Sequence, residues 1–341
     1  MYLATIDCGT TNSRVYIVDE NGDIINRASE KVGVRDTAIS RSNKILKQGL
    51  RDVFERALKE ANMIHSDIHC ILSSGMITSE LGLYEIPHLW APCSIKELAQ
   101  NLTKVEGLGV FPETIPLYFV RGIKNHFDPE TVKIKDVGTL DFMRGEEAQV
   151  AGLLDQPETN LPVMVTILSS HTKFVPVDDE EHIRGSVTTI SGQLYEAIIK
   201  ETFVGKSVRA ENDFDDSNFF DTQIVDDAFD EIQRGGLNRS LMYIRFLDVL
   251  VHAAWYERKL YAEALIAAED LRSIPQVQEL TGISPKFFIL VGIKRRCRIY
   301  QHLLCNKVDS NYQVRMITSE EDIDHLSIHG VITLAKIKGI L

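Results

Sequence analysis

The stretch ATIDCGTTNSRVYIVDENGDII, residues 4–25, decides how the chain is read. An apolar run reaches Asp7, breaks at Cys8-Gly9-Thr10-Thr11-Asn12, and resumes as a second apolar run. Its composition predicts strands over 2–7, 13–19 and 23–29, with Glu20–Asp23 as the hairpin turn between the last two. Gly9 and Asn12 suffice to make the first turn. An acid and two threonines around that glycine are more than turning requires. A phosphate does ask for them: backbone N–H groups and hydroxyls hold its oxygens, and an aspartate holds the accompanying Mg²⁺.

Outward from this hairpin, Leu46, Leu50, Val53, Phe54, Ala57, Leu58 and Ala61 recur at helical spacing. A buried-type strand, IHCILSS (68–74), runs into GMITSE, and Ser94 with Glu97 marks the start of a second helix. The second half follows the same plan. VMVTILSSHTKFVPVDDEEHIRGSVTTI (163–190) reads as strand, polar turn, strand, acidic turn and strand, with a helix from about residue 191. Hairpins are common, so this recurrence of pattern is compatible with duplication without proving it. The remainder is mostly helical, over 216–234 and 239–271 with RGG (234–236) as the interruption, before a last strand–helix–strand unit. The expected division is an N-terminal domain over 1–155 and a C-terminal domain over 156–341, with the polar turns facing one another across a cleft.

Composition narrows the class. At 341 residues, 44% of them hydrophobic, the chain can fill two cores. A net charge of −12 argues against a nucleic-acid partner. The five cysteines (Cys8, Cys70, Cys93, Cys297, Cys305) form no CxxC pair, which fits reduced thiols in a cytoplasmic protein. No signal peptide opens the sequence, and runs such as FFILVGI (287–293) are too short to span a membrane. No GxGxxG follows the first strand, which argues against a Rossmann dehydrogenase.

Four motifs then carry a resemblance. IDCGTTNSR resembles the first phosphate motif of the actin/hexokinase/Hsp70 ATPase superfamily. SSGMITSELGLYEIPHLWAPCS (73–94), DFMRGEEAQVAGLL (141–154) and SSHTKFVPV (169–177) are similar, in order and spacing, to motifs of the 2-dehydro-3-deoxygalactonokinases. The resemblance implies an α/β, two-lobed actin-like ATPase fold, with duplicated ribonuclease-H-like domains around a central cleft. It implies ATP- and Mg²⁺-dependent phosphorylation of 2-dehydro-3-deoxy-D-galactonate on its 6-hydroxyl, in galactonate catabolism. The implied partners are a sugar acid and a nucleotide, and a homodimer is compatible with them.

The departures from the family pattern lie mainly on the nucleotide side. Ser169–Ser170 stand in place of Pro-Gly, and Ser191–Gly192–Gln193 in place of Thr-Gly-Glu. VGIKRRCRIY keeps only Gly292 of a glycine-rich motif, and TSEEDIDHLSIHG replaces a Gly-Asp-rich close; Cys8 stands where an aromatic residue is usual. Two alternatives stay open: a sugar-acid-binding protein without efficient ATP use, and a kinase of another sugar acid.

Asp7 is the expected metal ligand and one candidate catalytic carboxylate, since a buried-edge acid ending a strand is costly unless paired or metal-linked. Gly9, Thr10, Thr11 and Asn12 would bind phosphate, and Arg14 either a phosphate or a carboxylate. Arg144, Glu146 and Glu147 open a helix, where acids suit the dipole and an arginine does not. That cost points to a ligand, with Arg144 gripping the sugar-acid carboxylate in two-pronged fashion and either glutamate serving as catalytic carboxylate. His171, Thr172 and Lys173 would hold the β- or γ-phosphate, and Gly292 the nucleotide. Gly75 and Met76 either turn the chain and pack, or contact the sugar acid as the resemblance implies. Arg35 is either a substrate contact or a surface arginine, and the cluster at 294–298 is either a solvated helix face or a phosphate contact.

Overall fold

The computed structural model describes residues 1–341, which divide into two compact units. The first comprises residues 1–159, 179–185 and 321–341. Here β1 (Tyr2–Cys8), β2 (Ser13–Asp19) and β3 (Ile24–Glu30) pair antiparallel, followed by α1 (Lys44–Glu60), β4 (Ile68–Gly75), β5 (Thr103–Val105) and β6 (Leu117–Phe119). The sheet order is β3-β2-β1-β4-β6-β5, with β4 parallel to β1 and β6 parallel to β4. Strand alternation sends Ala4, Ile6, Cys8, Val15 and Ile17 into one core with Leu46, Leu50, Val53, Phe54, Ala57 and Leu58 of α1. Asp7 and Arg14, of opposite parity, lie on the other face. Ser94 accepts from the Glu97 N–H and starts the short helix Ile95–Gln100, as the spacing predicts.

The second unit comprises residues 160–178 and 186–320. Its elements are β7 (Val163–Leu168), β8 (Thr172–Val177), β9 (Val187–Thr189), α3 (Ser191–Glu201), α4 (Thr222–Val249), α5 (Trp255–Leu271), β10 (Phe287–Gly292), α6 (Lys294–Leu303) and β11 (Gln313–Ile317), with α2 (Glu146–Leu154) preceding them in the first unit. The order is β9-β8-β7-β10-β11, antiparallel in the first three strands and parallel in the rest. Each unit thus repeats the order third, second, first, fourth, then a further parallel strand; β5 is an added edge in the first. Pattern alone left duplication open, and the sheet order answers it.

Three details differ from the expected layout. The acidic segment after β8 is more than a turn: residues 179–185 belong to the first unit, where His182–Ile183 pairs antiparallel with Cys93–Ser94. RGG interrupts the helical run at Gly236 (φ +67°), as the sequence predicts, but a second interruption falls between Val249 and Trp255, inside the span expected to be one helix. The C-terminal helix α7 (Glu320–Lys338) packs into the first unit, not the second.

α2 and α7 cross at backbone contact. A Cβ on Gly152 would stand 2.1 Å from the Leu326 carbonyl oxygen, and one on Gly330 would stand 1.8 Å from that of Ala148. No side chain fits there, so the crossing depends on two glycines meeting. Gly330→Ala is expected to lower stability by about 2 kcal/mol or more, read as a shifted denaturant midpoint. An unchanged midpoint would mean that the helices can separate freely.

Candidate active site

In the first unit β1 delivers Asp7 beside its own C-terminal end. The side chain keeps about a third of its exposure (34%), and its Oδ2 accepts from Arg14 Nη1 at 3.3 Å. Burial raises the Asp7 pKa, Arg14 opposes this, and Asp324 at the start of α7 adds to it. Gly75 lies against the same group. Its φ is +91°, and a Cβ there would stand 2.7 Å from the Cys8 carbonyl oxygen and 3.2 Å from Asp7 Oδ1. Gly145 follows, a Cβ on it falling 3.3 Å from the Gly75 Cα. Two side-chain-free backbones therefore stack beside one carboxylate, leaving room that any other residue would fill.

The turn after β1 closes through Gly9 N–H to the Asn12 carbonyl at 2.9 Å, with Thr10, Thr11 and Asn12 exposed. Its own carbonyls are occupied: Val34 N–H donates to Gly9 and Arg35 N–H to Thr10 (3.3 and 2.9 Å). Arg35 thus holds the turn through its backbone, and its side chain is exposed.

The 144–147 segment behaves differently from expectation. Glu147 is fully buried and its carboxylate accepts from the Gly145 N–H at 2.8 and 2.9 Å. Burial, with Glu146 beside it, pushes its pKa up to about 8, so it folds as a neutral acid and has no exposed surface to offer a substrate. Glu146 is half-buried and accepts from the Arg144 N–H at 3.1 Å. Arg144 does not present an open fork. Nη1 donates to Thr78 Oγ1 (2.6 Å) and Nη2 to the Ile86 carbonyl (2.8 Å), with His88 Nδ1 at 3.4 Å. Its two prongs hold the 78–88 segment. Met76, half-buried in the turn Met76–Thr78, packs against the first unit's core.

The second unit repeats this frame without the acid. Leu168 pairs with Gly292 as Cys8 pairs with Gly75, and a Cβ on Gly292 would stand 2.7 Å from the Leu168 carbonyl oxygen. Lys173 faces Ile167 where Arg14 faces Asp7. Thr172 and Lys173 belong to β8 and not to the turn. Thr172 is fully buried with its Oγ1 2.6 Å from Ser191 Oγ, and Lys173 is 7% exposed and donates to Thr188 Oγ1 at 2.8 Å. His171 stays on the turn, its Nδ1 3.4 Å from Ser170 Oγ.

The cluster at 294–298 is mostly turned inward. Arg295 pairs with Glu263 and Asp216, Arg298 covers the Phe220 ring at 4.3 Å, and Arg296 reaches the second turn; only Lys294 is exposed. Asp270 and Asp324 escaped the sequence reading, which left Arg296 open within the 294–298 cluster. Three cations in the first turn of a helix, where the dipole disfavours them, were the available signal for Arg296. Asp270 and Asp324 have none.

Two sheets of this order, each with a polar hairpin turn at the end of its first strand, define the α/β actin-like ATPase fold with duplicated ribonuclease-H-like units. A crystal structure from Sinorhizobium meliloti, of a protein assigned as a 2-dehydro-3-deoxygalactonokinase, shares the fold at a TM-score of 0.73 and 20% identity, over 98% of both chains. The family model for 2-keto-3-deoxy-galactonokinase matches residues 7–323, and the chain belongs to that family. A curated relative from Rhizobium meliloti (strain 1021), assigned as the 2-dehydro-3-deoxygalactonokinase DgoK1, is 22% identical over 214 residues, 62% of this chain. The match spans 61% of that relative's length.

Glu147 yields a pH signature. It binds its proton more tightly when folded than when unfolded, where a glutamate titrates at about 4.3. Its contribution is full below that pH and is lost as pH rises toward about 8. Glu147→Gln should flatten the fall in stability between about pH 5 and about pH 8 seen in urea midpoints. An equal fall in the variant would show that Glu147 titrates normally.

Proposed function

We propose that the protein is a cytoplasmic kinase that uses ATP and Mg²⁺ to phosphorylate 2-dehydro-3-deoxy-D-galactonate on its 6-hydroxyl. The observation that carries this reading is Asp7, partly exposed at a strand end and flanked by two bare glycine backbones, beside a turn of exposed hydroxyls in a chain of this family. No group of three or more histidine, cysteine or acidic side chains could hold a metal by itself. One carboxylate with an open neighbourhood fits Mg²⁺, which is commonly held by one or two carboxylates together with substrate phosphates. Asp7 would hold it, and when bound it would neutralise charge on the transferred phosphoryl group.

Thr10, Thr11 and Asn12 orient a phosphate by hydrogen bonding, as does His171 on the second turn, with Gly292 leaving room for nucleotide. Glu146 positions the acceptor hydroxyl; Asp7 is the other carboxylate able to do so, and Glu147 is too buried. Arg35 is the exposed cation beside the first turn and receives the sugar-acid carboxylate, while Arg144 shapes the pocket around Gly75 and Met76. All five cysteines are unpaired, in keeping with a reducing compartment.

A second reading, a sugar-acid-binding protein without efficient ATP use, draws support from Ser169–Ser170 and Gln193 in place of the family's usual residues. Asp7→Asn separates the two. In the kinase, this variant should lose turnover by about two orders of magnitude or more while calorimetry shows sugar-acid binding nearly intact. An unchanged kcat would remove Asp7 from the mechanism.

A further inference from the structure

The two hairpin turns are stabilised by different means. In the first unit, both turn carbonyls accept backbone N–H groups, Gly9 from Val34 and Thr10 from Arg35. In the second, Ser170 accepts from the Gln193 N–H at 2.9 Å, as Thr10 does from Arg35. The remaining carbonyl, that of Ser169, is met by a side chain: Arg296 Nη1 donates to it at 2.6 Å. The same guanidinium donates through Nη2 to Thr172 Oγ1 (2.7 Å) and Ser191 Oγ (2.8 Å), tying turn, β8 and the start of α3 to α6.

This cation is braced from behind. Asp270 is 3% exposed and lies 3.9 Å from Arg296, and it also accepts from Thr189 Oγ1 at 2.7 Å and from the buried Tyr300 hydroxyl. The Arg296 guanidinium stands 5.8 Å from the centre of the Tyr300 ring. A buried carboxylate with two hydroxyl donors and a guanidinium is a satisfied network, so the arginine has a fixed place in it. Its effect on the turn follows from the groups it takes. A carbonyl and two hydroxyls that would present negative oxygen to an anion are turned toward the guanidinium, and a positive charge stands directly behind the turn.

We propose that Arg296 is a positioning residue that fixes the second turn, residues 169–171, in the shape that receives an anionic phosphate group; this rests on the kinase reading above. It does by side chain what Val34 does by backbone in the first unit. The two serines in the turn are then tolerable, because Arg296 adds an outside hold to the turn's own bonds, which run from the Ser169 N–H and Oγ to the His171 carbonyl (3.2 and 3.0 Å).

The test uses the full-length protein with Arg296→Ala and Arg296→Lys, the second keeping the charge while losing the planar fork. Amide hydrogen exchange is followed at residues 168–173, and calorimetry gives Kd for MgATP and for 2-dehydro-3-deoxygalactonate separately. Both variants should exchange faster at these amides and bind MgATP about tenfold more weakly or worse, with sugar-acid binding unchanged. The lysine variant, which can be read even if the alanine variant does not fold, should recover little. Exchange at wild-type rates in a folded variant would overturn the inference whatever the nucleotide result, as would unchanged MgATP affinity. Failure of the unmodified protein to bind MgATP would instead overturn the kinase reading.

Discussion

The site depends on one parallel pairing, that of β1 with β4, in a register that sets Cys8 beside Gly75. This register brings a backbone without a side chain against the end of β1, where the Cys8 carbonyl oxygen and the Asp7 carboxylate leave no room for a Cβ. Shifted by one residue, it would turn Asp7 toward the face packed with Leu50, Phe54 and Ile71, where an unpaired carboxylate is costly. The apolar alternation of β1 therefore fixes both the core and the exposure of the acid. The second unit keeps the constraint, with Leu168 against Gly292, and lacks the acid. Duplication supplies two frames, and divergence places the carboxylate in one of them.

Charge in this region is arranged by burial more than by ion pairing. Asp7 has an arginine within reach and still binds its proton more readily than a free aspartate, because desolvation outweighs Arg14. Glu147 is taken further, to neutrality near pH 7, and becomes a helix-end anchor. Arg144 is spent on a hydroxyl and a carbonyl. In the segment reading Arg-Gly-Glu-Glu, Glu146 is thus the acid left partly exposed, with Glu147 buried and Arg144 bonded to Thr78 and Ile86.

Much of the fold was legible because its signals are local. The alternation of β1 and β2, the helical spacing from Leu46 to Leu58 and the Ser94–Glu97 start each depend on neighbours within a few residues. The doubled architecture was visible as pattern. What escaped was long-range: that 179–185 and α7 return to the first unit, and that Arg296 reaches back 127 residues to Ser169. Thr172 and Lys173 were read as turn residues because serine, histidine and threonine form one polar run, whereas β8 begins at Thr172 and buries both. Burial depends on what packs above a strand, and sequence spacing carries no record of it for Glu147 or Asp270.

The proposed reaction moves a phosphoryl group from ATP to the primary hydroxyl of a 2-keto-3-deoxy sugar acid. The most direct measurement is phosphorus NMR of the purified protein with MgATP and 2-dehydro-3-deoxygalactonate. The kinase predicts that ATP signals give way to ADP and to one new phosphomonoester, split by the two protons of an adjacent methylene. An ATP spectrum that stays unchanged while calorimetry registers sugar-acid binding would contradict it.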